Sequence, residues 1–412
     1  MESQQHPGSA KGTPFTGYQK QVIALLAFLQ FTIILDFMVI SPLGAVIMPE
    51  LKISPSQFGL IVSAYAFSAG ISGFLSAGFA DRFDRKKFLL FFYTGFVLAT
   101  LLCGIAPTFI LLLIARILTG VFGGVIGSMV LAITTDLFEY QVRGRVMGII
   151  QTAFAASQIL GLPAGMYFSN LWGWHAPFLM IVVVSALVGV VIWKVVKPID
   201  AHLKFKIDRS PLHHIVTTVS TPRYILGFLA TALLTTGGFM LMPFSSAFTV
   251  HNLGIPIEQL PMIYLVTGLS AIVVGPAVGR LSDQIGKFKT FTIGTVITTV
   301  MVVVYTQLGV SSLATVIAVN VVMFSGIFSR MIPAQALTSA IPTPDSRGAF
   351  MAVSSSLQQL SGGVAAMLAG FIVQEGSSGE ILHFDQVGYV VLLSAVLTLI
   401  LMYFVDRMLV TA

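Results

Sequence analysis

The octapeptide ADRFDRKK, at residues 80–87, interrupts the apolar sequence of this chain after its second long apolar run. A related octapeptide, SDQIGKFK, follows the eighth run at residues 282–289, with its aspartate 202 positions further along (81 to 283). A second pair, RGRVM at 143–147 and RGAFM at 347–351, repeats with an offset of 204 positions (143 to 347). Two matches at nearly one offset indicate that the chain consists of two copies of one structural unit.

The composition places these copies in a membrane. The chain has 412 residues, of which 56% are hydrophobic and 9% charged, against about 25% charged in an ordinary soluble domain. A helix that spans a bilayer needs roughly 20 apolar residues. Twelve continuous, non-alternating runs meet this requirement, which favours helices over barrel strands. The runs are 21–48, 57–80, 88–106, 108–135, 146–170, 177–196, 224–249, 259–281, 289–308, 312–341, 349–373 and 387–405.

The longest polar stretch between runs separates the sixth from the seventh, which divides the chain into two halves of six. We therefore predict an all-α membrane protein with twelve transmembrane helices in two pseudo-symmetric six-helix halves around a central cavity. The predicted parts are a cytoplasmic N-terminal tail (1–20), the first half (21–196), a cytoplasmic linker (197–223), the second half (224–405) and a cytoplasmic C-terminal tail (406–412).

The positive charges indicate the orientation of the chain. Of 22 Lys and Arg residues, 19 fall in alternate loops and at the termini, Lys52 alone falls in the opposite loops, and two lie inside runs. This distribution follows the positive-inside rule and predicts a multi-pass protein of a bacterial-type inner membrane with both termini in the cytoplasm. It argues against a nucleic-acid-binding surface, which needs one contiguous basic patch.

Three ionisable residues lie deep in runs: Asp36 in the first, Arg116 in the fourth and Arg330 in the tenth. Each costs about 2.5–3.5 kcal/mol at the centre of a membrane helix, so such groups face a bundle interior or an aqueous cavity and form pairs. If protons drive transport, Asp36 is the leading carrier. The structural alternative is a fixed ion pair that orders two helices.

Uncharged polar residues in the runs are candidates to contact a substrate, although each is also suited to an interhelical hydrogen bond. They are Gln30, Tyr65, Gln151, Gln158, Asn320, Gln335, Gln358 and Gln359. Gly120 and Gly124 follow Arg116 by four and eight positions on one helix face, a spacing that favours close helix packing over substrate contact.

The loop after the second run resembles a motif of the major facilitator superfamily, which reads Gly, three residues, Asp-Arg, any residue, Gly-Arg-Arg/Lys. This chain departs from it at two glycine positions, which are Ala77 and Asp84. The second copy keeps both glycines, as Gly279 and Gly286. The positions that match are Asp81, Arg82, Arg85 and Lys86 in the first copy and Asp283 and Lys287 in the second.

Further segments point to the twelve-span drug and sugar efflux (drug:proton antiporter) branch of that family. Arg116 and Gly120 match its fourth-span motif, GWHAPF at 173–178 is similar to the opening of its sixth span, and GLPAG at 161–165 is loosely similar to its antiporter motif Gly-Pro-x-x-Gly. The resemblance covers nearly the whole chain. It implies a secondary active transporter that moves a drug-like, sugar-like or other small solute by alternating access, with proton-coupled efflux expected.

Roles are also expected of individual residues, although the alternative for the 81–87 loop is a topology signal only. Conformational gating is expected of Asp81, Arg82, Arg85, Asp136, Asp283, Lys287, Arg143 and Arg347, and helix packing of Gly120, Gly124, Gly161, Pro163 and Gly165. We expect Asp81 to lie near the amino end of the eleventh span and Arg85 to pair with Asp136. These contacts are expected to hold the outward-open state and to break on the inward stroke.

The alternatives are an uptake permease or facilitator on the same fold and, further away, a membrane-bound lipid enzyme or a non-transporting sensor. We expect no enzymatic activity, because the sequence has no catalytic cluster, nucleotide-binding loop or metal-ligand spacing. No cofactor or metal is expected. The expected partners are a small-molecule substrate, protons and the lipid bilayer, without nucleic acid, and the chain is expected to function as a monomer.

Overall fold

The structure is a computed structural model that describes residues 15–76, 80–200, 203, 218–343 and 346–410; the side chains of Asp81, Tyr140 and Gln141 also lie outside the described part. The first half contains α1 (Gly17–Val39), α2 (Gly44–Leu51), α3 (Pro55–Ser76), α4 (Arg85–Gly104), α5 (Phe109–Leu137), α6 (Tyr140–Ala156), α7 (Leu162–Trp172) and α8 (Ala176–Val195). The second half contains α9 (Pro222–Leu241), α10 (Ser245–His251), α11 (Leu260–Ile285), α12 (Lys287–Thr306), α13 (Leu313–Ser339), α14 (Arg347–Ile372) and α15 (Phe384–Val410).

Within the described residues, eleven segments are long and apolar enough to cross a membrane. The twelfth span is α14, which has 26 residues but is less apolar because it carries the sequence SSSLQQ at 354–359. The predicted all-α, twelve-span fold is confirmed. The helices α1 and α15 extend to Gly17 and Val410, beyond the predicted limits of the halves, because backbone hydrogen bonding continues past the point where the sequence becomes polar.

Proline breaks two runs that were predicted as continuous helices. A turn at residues 40–43 separates α1 from α2, and the corresponding turn at 242–244 separates α9 from α10. Pro42 and Pro243 occupy these turns, 201 positions apart (42 to 243), and a proline lacks the N–H that would continue a helix. The internal repeat therefore extends to the kinks of the first and seventh spans.

The fifth span is also interrupted. A π-helical turn at Ser157–Gly161 joins α6 to α7, and Pro163 lies in the first turn of α7. π-Turns inside α-helices accommodate an extra residue and bend the helix. A short hairpin between the last two spans, β1 (Gln374–Glu375) and β2 (Ile381–Leu382), was not predicted from sequence; it is antiparallel, with Gln374 opposite Leu382.

The two halves contact each other differently at the two ends of the bundle. We call the end that carries residues 80–87, 138–143, 196–199, 340–343 and 346–347 the basic end. At the other end, which we call the opposite end, the halves are joined by direct hydrogen bonds: Ser246 Oγ donates to the Ser41 carbonyl at 3.2 Å, and Ser56 Oγ donates to the Gly370 carbonyl at 2.8 Å.

The hydrophobic cores follow the same division. One core cluster contains residues of both halves at the opposite end, including Phe58 and Phe244, whose rings meet edge to face with centroids 6.1 Å apart. Toward the basic end there are two separate clusters, one built from the first half and one from the second, which Phe74 of α3 joins from the first half. The two halves thus share one core at the opposite end, whereas toward the basic end each half has a separate core.

Candidate functional site

A buried ion pair lies in the middle of the first half. Arg116 Nη1 of α5 is 2.9 Å from Asp36 Oδ2 of α1, and both side chains are fully buried. The same Nη1 donates to the Asp36 carbonyl at 3.2 Å, and Thr100 Oγ1 of α4 donates to Asp36 Oδ1 at 3.3 Å. The structure therefore brings together the two ionisable residues that the sequence placed in the middle of the first and fourth spans.

The guanidinium of Arg116 is only partly satisfied. Its Nε and Nη2 atoms are buried and have no hydrogen-bond partner among the described residues. Its Cζ lies 4.5 Å from the centroid of the Tyr65 ring, a cation–π contact that stabilises a buried cation. The pair is therefore held by the charged contact, by the hydrogen bonds to the Asp36 carbonyl and from Thr100, and by one aromatic face.

Three aromatic rings connect this ion pair to the second half. Tyr65 lies against Phe37 with centroids 5.2 Å apart, and Phe37 lies against Phe239 of α9 at 5.5 Å. We call Tyr65, Phe37 and Phe239 the aromatic stack. Phe239 belongs to the second half, whereas Tyr65 and Phe37 belong to the first. A movement of one half relative to the other would therefore change the contact between Phe37 and Phe239.

Glycines of α5 let α3 approach closely. A Cβ atom at Gly120 would overlap Ser68 Oγ and lie 2.5 Å from the Tyr65 carbonyl oxygen, and one at Gly124 would overlap the Ala69 carbonyl oxygen. In the fifth span, Gly161 packs against Leu35 and Gly165 against Val39, and Pro163 lies between them in the first turn of α7. These contacts fix α3 and α1 around the ion pair.

We expect Gly120→Ala to destabilise the protein by about 1–3 kcal/mol, because the new methyl group meets backbone atoms that cannot move aside cheaply. Gly127→Ala on the same helix is the matched control, since a Cβ there has no neighbour within 4 Å. Thermal unfolding followed by tryptophan fluorescence should show a lower midpoint for Gly120→Ala alone. Equal midpoints for the two variants would show that this close approach does not limit stability.

The predicted gating residues lie at the basic end. Arg85 Nε is 2.9 Å from Asp136 Oδ2, with the side chains 6% and 22% exposed. Both residues belong to the first half, and their pair is intact although the halves have separate cores at this end. The pair therefore orders the basic end of the first half, and its breaking on the inward stroke stays a prediction.

The other gating candidates do not form one cluster. Arg143 donates to the Thr135 carbonyl at 2.7 Å and to the Phe138 carbonyl at 2.9 Å, which satisfies the end of α5. Arg82 and Arg347 are exposed, and the side chain of Asp81 lies outside the described part. Asp283 and Lys287 line a cavity of about 390 Å³ at the basic end of the second half, together with Asp406.

Arg330 does not join the ion pair. Its side chain is 5% exposed, and its guanidinium lies 5.8 Å from the centroid of Phe291 in α12. The neighbouring backbone of Ser329 and Arg330 packs against Gly294 of α12. The residue thus faces the α12 side of α13, and its Nε atom has no partner among the described residues.

The residues predicted to contact a substrate differ in their contacts and in their exposure. Asn320 Nδ2 donates to the Val316 carbonyl of its own helix at 2.9 Å, and Tyr65 belongs to the aromatic stack. Gln151, Gln335 and Gln358 are exposed. Gln30, Gln158 and Gln359 are half-buried, and the Gln158 carbonyl packs against Gly268 of α11.

Sequence reasoning missed Thr100, Phe37 and Phe239. Thr100 is one of many threonines in apolar runs, so no pattern distinguishes it. Phe37 is adjacent to Asp36, a weak signal by itself, and Phe239 is recognisable only once the two halves are placed side by side.

Comparisons with known proteins identify relatives over the whole chain. The sequence profile of the Major Facilitator Superfamily matches residues 26–366 and 228–409. The uncharacterized MFS-type transporter YceJ of Bacillus subtilis is 29% identical over 276 residues, which cover 66% of this chain and 69% of that protein. A probable sugar efflux transporter of Mannheimia succiniciproducens is 21% identical over 337 residues, 81% of each chain.

The fold has a counterpart among solved structures. A bacterial homolog of the human lysosomal transporter Spinster, in an inward-facing and occupied conformation, superposes with a TM-score of 0.76 at 15% identity, covering 96% of this chain and 98% of that one. At this identity the likeness concerns the fold alone.

Proposed function

Because this chain belongs to the major facilitator superfamily, and is a multi-pass membrane transporter, we propose that it exports a small solute in exchange for protons by alternating access. The observation that carries the proposal is the fully buried pair of Asp36 and Arg116. The outward direction is supported by the similarity to the probable sugar efflux transporter of Mannheimia succiniciproducens. The loops of the basic end carry the positive charges, so in this proposal they face the cytoplasm.

The proposed cycle uses the closure seen at one end of the bundle. In the described state the halves are joined at the opposite end, and solute enters from the cytoplasm through the basic end. When the halves rock, Phe37 and Phe239 separate, and solute leaves on the other side. Water then reaches Tyr65 and the ion pair behind it, so that a proton can bind Asp36 from outside.

Two opposing effects set the protonation of Asp36. Removal from water disfavours a charged carboxylate, whereas a guanidinium within about 4–6 Å favours it. Protonating an ordinary aspartate at pH 7 costs about 4 kcal/mol, and each of the two effects is of comparable size. A small change in helix separation or hydration is therefore sufficient to load or release the proton. Arg116 stays charged throughout.

Everted membrane vesicles test the proposal. An imposed gradient, acidic inside, should drive solute accumulation in vesicles that contain the protein, and a protonophore should abolish it. Accumulation that is insensitive to the gradient would instead indicate a facilitator, and proton-driven loss of solute from these vesicles would indicate an uptake permease. Either result would overturn the proposal.

A gating role for Asp81 gives a separate prediction. In this proposal its carboxylate approaches the amino end of α14 in the outward-open state, where the helix dipole stabilises it by about 0.3–2 kcal/mol. Asp81→Asn should therefore shift the equilibrium between the two states by about 2- to 30-fold and slow turnover. The matched control is Asp84→Asn, because Asp84 caps α4 and asparagine caps a helix equally well. Equal turnover of both variants, at equal amounts in the membrane, would leave Asp81 with a topological role only.

The orientation can be tested by labelling single cysteines in a Cys103→Ser background; Cys103 is the chain's one cysteine and is fully buried. Val310→Cys, at an 85% exposed position of the opposite end, should react with a membrane-impermeant maleimide on intact cells. Phe205→Cys, in the linker, should react only after permeabilisation. Labelling of position 205 in intact cells would reverse the proposed orientation and with it the cytoplasmic placement of the termini.

A further inference from the structure

Thr100 of α4 uses its hydroxyl differently from other buried threonines of this bundle. Thr134, Thr298 and Thr398 each donate to the carbonyl four residues earlier in their own helix, at 2.8, 2.8 and 2.6 Å. Such a bond is locally available to a threonine inside a helix. The Thr100 hydroxyl, which is fully buried, instead donates to Asp36 Oδ1 of α1 at 3.3 Å. This hydroxyl is therefore directed at the carboxylate.

The two carboxylate oxygens of Asp36 have different partners. Oδ2 accepts from Arg116 Nη1 at 2.9 Å, whereas Oδ1 accepts from Thr100. Arg116 keeps all of its hydrogens, so a proton that binds the carboxylate adds to Oδ1, on the side of Thr100. A threonine hydroxyl can both donate and accept. Thr100 can therefore donate to the charged carboxylate and accept from the protonated acid.

A second hydrogen bond holds α4 against α1 independently of Asp36. Tyr93 Oη of α4 lies 3.0 Å from Thr32 Oγ1 of α1, and both side chains are buried. The single hydrogen of the Thr32 hydroxyl is donated to the Leu29 carbonyl at 2.8 Å, so Tyr93 is the donor in this contact. Thr32 precedes Asp36 by four positions and Tyr93 precedes Thr100 by seven, which is one and two helical turns. The contact keeps the Thr100 hydroxyl beside Asp36 in either protonation state.

Few other groups in the described part of the chain act on the charge of Asp36. Arg116, Tyr65 of α3 and Cys103 of α4 interact with it electrostatically. Arg116 stays charged, whereas a phenol and a thiol are neutral near pH 7. The helices α6, α7 and α8 also pack against α1. Their charged residues lie at the basic end and are Arg143, Arg145 and Lys194. Thr100 is thus the neutral side chain that donates directly to the carboxylate.

Resting on the proposed function, we propose that Thr100 is a positioning residue that sets the pH at which Asp36 exchanges its proton. A hydrogen bond to a charged acceptor is roughly twice as strong as one between neutral groups, so the Thr100 hydroxyl favours the ionised carboxylate. Without this hydroxyl, the carboxyl group should keep its proton to a higher pH. In the proposed cycle, Thr100 therefore assists release of the proton toward the cytoplasm.

Infrared pH titration of the full-length protein in lipid nanodiscs tests this role without any solute. The band of the protonated Asp36 carboxyl group is identified by its absence from Asp36→Asn, and its midpoint is compared among variants. Thr100→Val, which has nearly the same shape as the wild-type residue, should raise the midpoint by about 0.5–1 pH unit, a roughly three- to tenfold gain in proton affinity.

Two further variants separate the hydroxyl from the packing of the side chain. Thr100→Ser keeps the hydroxyl and should titrate near the wild-type midpoint. Thr398→Val is the matched control, because the Thr398 hydroxyl bonds only within its own helix in the second half, and it should leave the midpoint unchanged. Thermal unfolding establishes that each variant is folded, and Thr100→Ala, which also lacks the hydroxyl, replaces Thr100→Val if the latter does not fold.

The outcomes distinguish this proposal from the proposed function. A midpoint that is unchanged or lowered in the variants without the hydroxyl, or equally raised in Thr100→Ser, would overturn the role of Thr100 and leave Asp36 as the proton carrier. A lower unfolding temperature with an unchanged midpoint would show that Thr100 has a structural role only. Absence of any titrating band that depends on Asp36 in the wild type would overturn the proton carrier of the proposed function, and the role of Thr100 with it.

Discussion

Asp36→Asn should abolish solute accumulation driven by a pH gradient and preserve solute binding. Asparagine has the volume of protonated aspartate but cannot release a proton, so the cycle loses its coupling step. The amide oxygen can still accept the hydrogen bond that Arg116 Nη1 donates to Asp36 Oδ2 in the wild type, which keeps α1 and α5 in contact. Solute binding by the variant should also no longer depend on pH, because the carboxyl group that titrates has been removed.

The experiment compares proton-driven accumulation, downhill solute exchange and binding in one set of proteoliposomes. The control is Asp385→Asn, which removes a carboxylate elsewhere in the same protein. Asp385 lies in the first turn of α15, at the opposite end of the bundle. Exchange without accumulation is the result expected for Asp36→Asn. Accumulation by this variant at a rate near that of the wild type would show that Asp36 is not the obligatory proton carrier.

The second large effect concerns stability. Arg116→Met should destabilise the protein by about 3–5 kcal/mol, because it leaves a carboxylate buried without its charged partner. Methionine fills a similar volume beside Tyr65 and can keep contact with the ring. The double variant Asp36→Asn with Arg116→Met removes both charges and should recover most of the lost stability, since a buried ion pair replaced by neutral groups is often neutral in free energy.

Transport activity and thermal stability should change independently among the wild type, Arg116→Met and the double variant. The double variant should unfold near the wild-type temperature and still fail to accumulate solute against a gradient. Thermal unfolding in nanodiscs and transport in proteoliposomes measure the two properties separately. A double variant as unstable as Arg116→Met, or one that still pumps, would show that the ion pair does not act in the way proposed here.

Much of the architecture is encoded locally and was predictable. Twelve apolar runs, the polar stretch between the halves and the repeat of the 80–87 and 282–289 segments define the fold without any long-range information. The kinks at Pro42 and Pro243 were predictable in principle, because proline cannot continue the hydrogen-bond pattern of a helix. A sliding-window average of hydropathy does not detect these kinks, because the residues around each proline are apolar.

The site was predictable only in part. Asp36 and Arg116 are conspicuous because charged residues inside spans are costly and need partners, and the structure places them 2.9 Å apart. The link from Arg116 through Tyr65 and Phe37 to Phe239 depends on how four helices cross, which no spacing in the sequence encodes. Arg330 looked equivalent to Arg116 in sequence, but it faces Phe291 instead, because packing decides which side of a helix faces the centre.

Infrared difference spectroscopy tests the central claim, that Asp36 gains and loses a proton, most directly. Samples of the protein in nanodiscs are compared between acidic and basic buffer, and the wild-type difference spectrum is compared with that of Asp36→Asn. We predict a carbonyl-stretch band of a protonated carboxyl group that appears on acidification of the wild type, is absent from the variant, and changes when solute is added. Identical difference spectra for the wild type and Asp36→Asn would contradict the claim, because the carboxyl groups that titrate would then all lie elsewhere.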